Sequence, residues 1–328
     1  MTRRPLLSKR SRGFTLVEAV MVIAIIGIIA AIVAVFIRAP ILGYRDTVER
    51  AEITDQADLT LRRMARDIRL ALPNSVRVTT TADGDQLELL QTRNGGRYLG
   101  SDEDGMPALR VLDFDDPSDT SFAVLAPPLS FAGSGTAQAR VGDYVVVYNL
   151  GPGQGVAESD AYNLNASYSA PGDDGLCPST RGTTGGNIAR ICSIGAEETD
   201  ADLGVKVRQI TLATNPFAMQ QVKMQSPMHR FQVVSGPVSF YCKPAGDGTY
   251  TLWRAWGYPI AAAQAVPSGG QRAMLASRLT SCDKLFTYDA NYALQRSGLV
   301  VMAISIRGRN PDSGTIRLVN QVHVDNTP

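Results

Sequence analysis

A carboxylate inside an apolar run is the residue that most demands a chemical explanation in this chain. Phe14 to Ile37 form a stretch whose one formal charge is Glu18. In lipid a carboxylate costs several kcal/mol unless it is protonated, paired or near the interface, and a plain anchor gains nothing from one. Other groups with chemical potential lie far from it. Cys177, Cys192, Cys242 and Cys282 are the four cysteines. With no Cys-x-x-Cys and neither histidine near a cysteine, they read as two disulfides rather than a zinc site. Three connectivities are open. Sequential pairing, Cys177–Cys192 and Cys242–Cys282, would close loops of about 15 and 40 residues, each worth roughly 3–4 kcal/mol in the chain-entropy model. Free buried thiols are the alternative.

His229 and His323 are the two histidines, and no Gly-x-Ser-x-Gly, His-Glu-x-x-His or phosphate-binding loop accompanies them. His323 falls in an alternating terminal segment that suits a half-exposed structural role, and the expectation is that the chain is not an enzyme. Acids gather at Asp102, Glu103 and Asp104 beside Gly105, and again at Asp113, Asp115, Asp116 and Asp119. Calcium takes oxygen ligands of this kind, but the twelve-residue calcium-loop pattern is missing, so a solvated acidic loop is the preferred reading and no cofactor is expected.

The elements that must position these groups follow from patterning. The 328 residues are 44% hydrophobic and 19% charged, which suits a globular body and excludes a disordered chain, a coiled-coil rod or a polytopic membrane protein. The net charge of +1 gives no argument for nucleic acid. Yet Arg3, Arg4, Lys9, Arg10 and Arg12 crowd residues 1–13, and removing those five takes the net charge to −4. As a helix, Phe14–Ile37 would rise about 36 Å, enough for a hydrocarbon core of about 30 Å. The basic residues before it place 1–13 in the cytoplasm and the bulk outside. The run is too long for an ordinary cleaved signal, and no Ala-x-Ala triplet lies between Phe14 and Pro40.

The sequence Arg12-Gly13-Phe14-Thr15-Leu16-Val17-Glu18, with its basic leader and apolar continuation, resembles the type IV prepilin signature. The resemblance implies that a prepilin peptidase cuts after Gly13 and methylates the new amino group of Phe14. It also implies that Glu18 neutralises the terminal amine of a neighbouring subunit. Glycine suits a cleavage site because it lets an extended backbone approach a protease closely. A contact at 4 Å with an effective dielectric near 20 gives about 4 kcal/mol before desolvation, and its main value would be register between sliding apolar helices.

Pro40 and Gly43 should weaken or kink the helix. Apolar spacing of three and four then resumes through Val48, Ala57, Leu61, Met64, Ala65, Ile68, Ala71 and Leu72, and Pro73 marks the stop. Arg62, Arg63, Arg66 and Arg69 beside Glu49, Glu52, Asp55, Asp58 and Asp67 read as a solvated face rather than a nucleic-acid surface. Beyond Pro73 the candidate strands are 76–81, 86–91, 109–114, 143–149, 205–212, 231–234, 238–242, 249–256, 299–307 and 315–324, with turns at 82–85 and 246–248. The implied organisation is a leader at 1–13, a membrane and assembly helix at 14–38, an amphipathic continuation at 39–72 and a β-rich body at 73–328. That body carries a loop-rich insertion at about 126–204. The fold class is α+β, a long helix packed on an antiparallel sheet.

Gly43-Tyr44-Arg45-Asp46-Thr47-Val48-Glu49-Arg50-Ala51, the run Leu61 to Val78 and the stretch Phe231 to Lys243 resemble the MshO family of MSHA pilus biogenesis proteins. That family comprises minor pilins related to the J-type pseudopilins of type II secretion. It implies a subunit of the bacterial inner membrane with its body in the periplasm, later reaching the pilus and cell surface. Its partners would be other minor and major pilins, the prepilin peptidase and the inner-membrane assembly platform, with no nucleic acid. The alternatives are a J-like minor pseudopilin and a tip adhesin presenting the 126–204 region, where Tyr144, Tyr148, Tyr162 and Tyr168 could contact a surface or sugar.

Overall fold

The computed structural model describes residues 13–100, 111–125, 138–152, 156–163, 184–201, 204–288, 297–310 and 313–328. The basic leader up to Arg12, the acids Asp102, Glu103 and Asp104, Tyr168 and Cys177 lie outside these residues. One helix, α1 (Leu16–Arg69), opens the chain and runs through Pro40 and Gly43 without a break. A proline removes one N–H donor, and the bonds to either side keep the helix continuous. α1 stops at Arg69, three residues before Leu72. Its last amides turn to carbonyls three residues back (Leu70 to Asp67, Ala71 to Ile68), and Ala71 and Leu72 pair with Gln91 and Leu90. Sheet pairing therefore ends the helix before Pro73 can.

Two compact units divide the chain. The first comprises residues up to Glu52 together with Gly308–Gly314; the second comprises Ile53–Arg307 and Thr315–Pro328. In the second, twelve described strands form one sheet: β1 (Arg77–Thr81), β2 (Gly84–Arg97), β3 (Ser121–Leu125), β4 (Tyr144–Val146), β5 (Ile188–Thr199), β6 (Lys206–Leu212), β7 (Arg230–Pro244), β8 (Tyr250–Trp256), β9 (Gln271–Leu279), β10 (Phe286–Tyr288), β11 (Ser297–Arg307) and β12 (Thr315–Asp325). The main path is β10-β11-β9-β8-β7-β4-β5-β6-β3, with β12 on β11, and β2 bridging β1 and β7. Every strand pair is antiparallel. The α+β class with a long helix and a large antiparallel sheet is what the patterning predicts.

Several expected elements differ. Residues 231–234 and 238–242 are one strand. β7 continues through Gly236 and Pro237 because the register shifts between Leu90 and Thr92 on β2, a bulge beside the proline that cannot donate. Residues 111–114 are not a strand: Val111 makes a single bridge to Leu99, and the chain then turns at Asp113. In the 126–204 region the expected strand at 143–149 forms as β4, and a strand that was not expected, β5, pairs with it; β4 joins β7 to β5 and so stands inside the sheet.

The helical face Ile53, Ala57, Leu61, Met64, Ala65 and Ile68 is buried against Leu87, Leu89, Phe240, Leu252, Met302 and Ile304. A second core gathers Tyr98, Phe122, Val145, Ile191, Ile210, Phe231 and Val233 around β3 to β7. The turn between β1 and β2 has two residues, Ala82 and Asp83, and Gly84 (φ 110°) sits where a side chain would strike the backbone of Cys282.

Candidate assembly and processing site

The foot of α1 is built from Gly13, Phe14, Thr15 and Glu18. Thr15 precedes the first helical residue, and the Glu18 amide donates to its Oγ1 at 3.3 Å. This is the threonine half of a capping box, with Glu18 at the third helical position, where its charge also meets the positive end of the helix dipole. The signal, Thr-x-x-Glu before an apolar run, stood in the sequence; reading Glu18 solely as a problem for lipid overlooked it. Gly13 and Phe14 lie before the helix, and Phe14 is 76% exposed.

Above this foot the helix is apolar on every side. Leu16, Val17, Ile23, Ile26, Ile28, Val35 and Phe36 are all at least half exposed, positions that span the whole circumference at 3.6 residues per turn. It is the one described helix long and apolar enough to cross a membrane. A surface helix of a globular protein keeps one polar face; this one needs lipid or other apolar helices on all of its faces.

Further along α1, two carboxylates expected on the solvated face are engaged instead. Glu49 accepts from the Arg309 and Asn310 amides, from Asn310 Nδ2 at 2.8 Å and from Ser313 Oγ at 2.7 Å. The Ser313 hydroxyl foremost holds its pKa below the ordinary glutamate value; burial opposes it, and the Arg309 and Asn310 amides and the Asn310 side chain add to the lowering. Asp67 is buried in the second unit, where its Oδ2 receives Arg254 Nε at 2.6 Å. Arg62 does sit on the exposed face, paired with Asp58 at 2.7 Å. Asp58 lies four residues from Arg62 and Asp67 four from Arg63, so the two acids looked alike; only a partner 187 residues away distinguishes Asp67.

Polar groups inside the body are tied to one another. Arg77 donates through Nε to Glu88 Oε1 at 3.1 Å, while Glu88 Oε2 receives Ser239 and Tyr258 at 3.1 and 3.2 Å. Arg77 also lies 3.6 Å from the centre of the Tyr162 ring, whose hydroxyl donates to the Ser75 carbonyl. Burial, with the Glu88 charge adding to it, pushes Tyr162 and Tyr258 above the ordinary phenol range. Such tyrosines stay neutral and hold structure. Tyr144 and Tyr162, offered above as adhesive aromatics, are both buried core residues.

The remaining candidates separate. Cys242 and Cys282 form a disulfide, and Cys192 is disulfide-bonded as well. His229 stacks at 5.3 Å on Tyr98, and His323 is exposed on β12. Asp113 accepts from the amides of Asp115 and Asp116, and Asp116 from Ser118, so these carboxylates close turns. Among the described residues no three His, Cys, Asp or Glu side chains gather as a metal would require.

A bare apolar helix with a capped acidic foot, continued into a helix packed on an antiparallel sheet, is a pilin-like architecture. Residues 8–34 match the model of the prokaryotic N-terminal methylation motif, which places Gly13, Phe14 and Glu18 inside the matched segment. No curated protein and no solved structure matches the chain. The motif indicates a type IV pilin- or pseudopilin-like protein. It implies processing by a prepilin peptidase and assembly with other pilins, and points to a structural rather than catalytic role.

Proposed function

We propose that this chain is a minor pilin acting in the initiation or tip complex of an MSHA-like type IV pilus. It waits in the inner membrane with its body in the periplasm, is cut after Gly13, is methylated on Phe14, and enters the filament through α1. The reading is supported above all by the all-round apolar surface of α1 with a lone carboxylate one turn from its foot. The carboxylate also serves the first turn of its own helix, but a charge this close to an apolar run finds a full partner in the charged terminus of another chain. The size of the body favours a tip or initiating position, where fewer neighbours crowd a bulky subunit.

The test has two parts. Mass spectrometry of the mature chain should find methylated Phe14 as its first residue, and any other start removes the processing role of Gly13. Glu18→Ala should insert into the membrane normally and fail to enter filaments; normal incorporation would remove the pairing role.

A further inference from the structure

The outermost strand on one side of the sheet, β12, is paired along one edge alone. It matches β11 over eleven consecutive residue pairs, Arg307–Thr315 to Ser297–Asp325, without a register shift. Among the described residues no strand pairs with its other edge. The other strands with one paired edge are shorter: β1 and β3 have five residues each and β10 has three, whereas β12 has eleven. Natural sheets blunt a long edge with proline, lysine, a bulge or a covering loop, because unpaired N–H and C=O groups recruit other strands. β12 contains no proline, glycine or lysine, and its regular ladder has no bulge. An edge this long and this even is built for pairing.

The alternation of the ladder says which residues would pair. Gly308 donates to the Gly314 carbonyl across the hairpin mouth, so the even-numbered residues of β12 bond to β11. Thr315, Arg317, Val319, Gln321, His323 and Asp325 turn their backbone groups outward. All six are exposed, and Val319 shows 56% of its surface.

We infer that this edge pairs with β12 of a second copy, antiparallel, about a two-fold axis at Gln321. In that register Arg317 stands opposite Asp325 of the other copy, twice by symmetry, and Val319 stands opposite His323. On the other face Leu318 meets Val324 and Asn320 meets Val322. The two formal charges that β12 carries outward are thus each other's partners, so the strand is complementary to itself. A slip of two residues would set Arg317 against His323 and lose both ion pairs. Five hydrogen-bonded residue pairs supply about ten backbone bonds, two for each pair, and opposite charges directly across add to them. The inference stands on the sheet edge alone and goes beyond the role proposed for α1.

Cysteine trapping in the full chain, purified in detergent, tests it. Residues facing each other in a hydrogen-bonded pair have Cα atoms about 5.5 Å apart, within disulfide range. Gln321→Cys should therefore give a disulfide-linked dimer under mild oxidation. Val319→Cys alone should not, while a mixture of Val319→Cys and His323→Cys chains should. Placing Arg317→Asp in the Gln321→Cys background should lower the dimer yield by about tenfold, since two carboxylate pairs then face each other. Adding Asp325→Arg should restore it. Val319→Cys linking as readily as Gln321→Cys would show contact through the apolar helices alone and overturn the pairing. A monomeric Gln321→Cys chain, or a charge exchange that fails to restore the dimer, would overturn it as well.

Discussion

Replacing Asp67 by Asn should lower stability by about 3–5 kcal/mol, the range for leaving one member of a buried ion pair unmatched. Asp67 is 3% and Arg254 8% exposed in their side chains, and Nε and Oδ2 are 2.6 Å apart. The change keeps side-chain volume and removes the charge, so the guanidinium is left with at most a neutral amide oxygen in place of the carboxylate, the Trp256 ring at 4.7 Å and a long contact to Gln91 at 3.5 Å. One effect opposes this. Asp67 lies in the last turn of α1, where the dipole disfavours an anion by about 0.3–1 kcal/mol, and Asn escapes that penalty. The ion pair outweighs it several-fold, so the sign is destabilising. For a body of this size each kcal/mol shifts Tm by about 2–4 °C, which predicts a fall on the order of 10 °C. Thermal unfolding of the full chain in detergent, followed by the sheet signal in circular dichroism, reads it. Asp67→Leu with Arg254→Met should recover most of the loss, because burying the pair is itself expensive. A shift below about 2 °C for Asp67→Asn, or a double variant worse than the single, would show that this pair does not hold helix to sheet.

Acid should release the Glu49 clamp. Its pKa is lowered in the folded chain, so the stabilisation is complete above the unfolded value near 4.5 and is lost as pH falls through the lower folded value. Hydrogen exchange at the Arg309 and Asn310 amides, corrected for intrinsic rate, should stay protected at pH 6 and open toward pH 3, and Glu49→Gln should abolish that dependence. Cys282→Ser should cost about 4 kcal/mol in denaturant, the chain-entropy value for a bridge with a sequence separation of 40; a loss under 1 kcal/mol would contradict it. Gly84→Ala should cost about 2–5 kcal/mol, combining left-handed backbone with a clash against Cys282. Gly248→Ala, at φ 77° but in open space, should cost only about 1–2 kcal/mol by the same melt.

What the sequence disclosed depended on how far a residue's partner lay along the chain. α1 was legible because its apolar spacing is local, and β1, β8, β11 and β12 because they alternate between two-residue or short turns. β9 was not: Gln271-Arg272-Ala273-Met274-Leu275-Ala276 is made of good helix formers, and only its ladder to β8 and the burial of Ala276 and Leu279 make it a strand. β5 hid in the same way, its apolar half (Ile188, Ala189, Ile191) diluted by Gly195, Ala196 and two glutamates. Asp67 and Glu49 were misplaced for a sharper reason. Helical position put both on the solvated face, but whether a carboxylate there is buried depends on Arg254 in one case and on Asn310 and Ser313 in the other. The methylation motif that contains Gly13, Phe14 and Glu18 was readable at once because its pattern is contiguous.

The capped foot of α1 changes how Glu18 must be tested. Glu18→Ala removes a carboxylate that would meet another subunit, but also the acidic residue of the first turn of its own helix, next to the Thr15 cap. A helix frayed by that loss could fail to assemble for a reason unconnected with pairing. Glu18→Gln separates the two, because glutamine serves the third position of a capping box about as well as glutamate while carrying no charge. Thr15→Ala is the converse: it removes the cap, at about 1 kcal/mol, and leaves the carboxylate. If Glu18 acts on a neighbour's terminal amine, Glu18→Gln should block incorporation nearly as fully as Glu18→Ala, and Thr15→Ala should weaken it only slightly. If Glu18 serves its own helix, Glu18→Gln should assemble normally, with Thr15→Ala as damaging as Glu18→Ala. Counting incorporated against membrane-resident chains for the three variants decides between a contact within one helix and a contact between two.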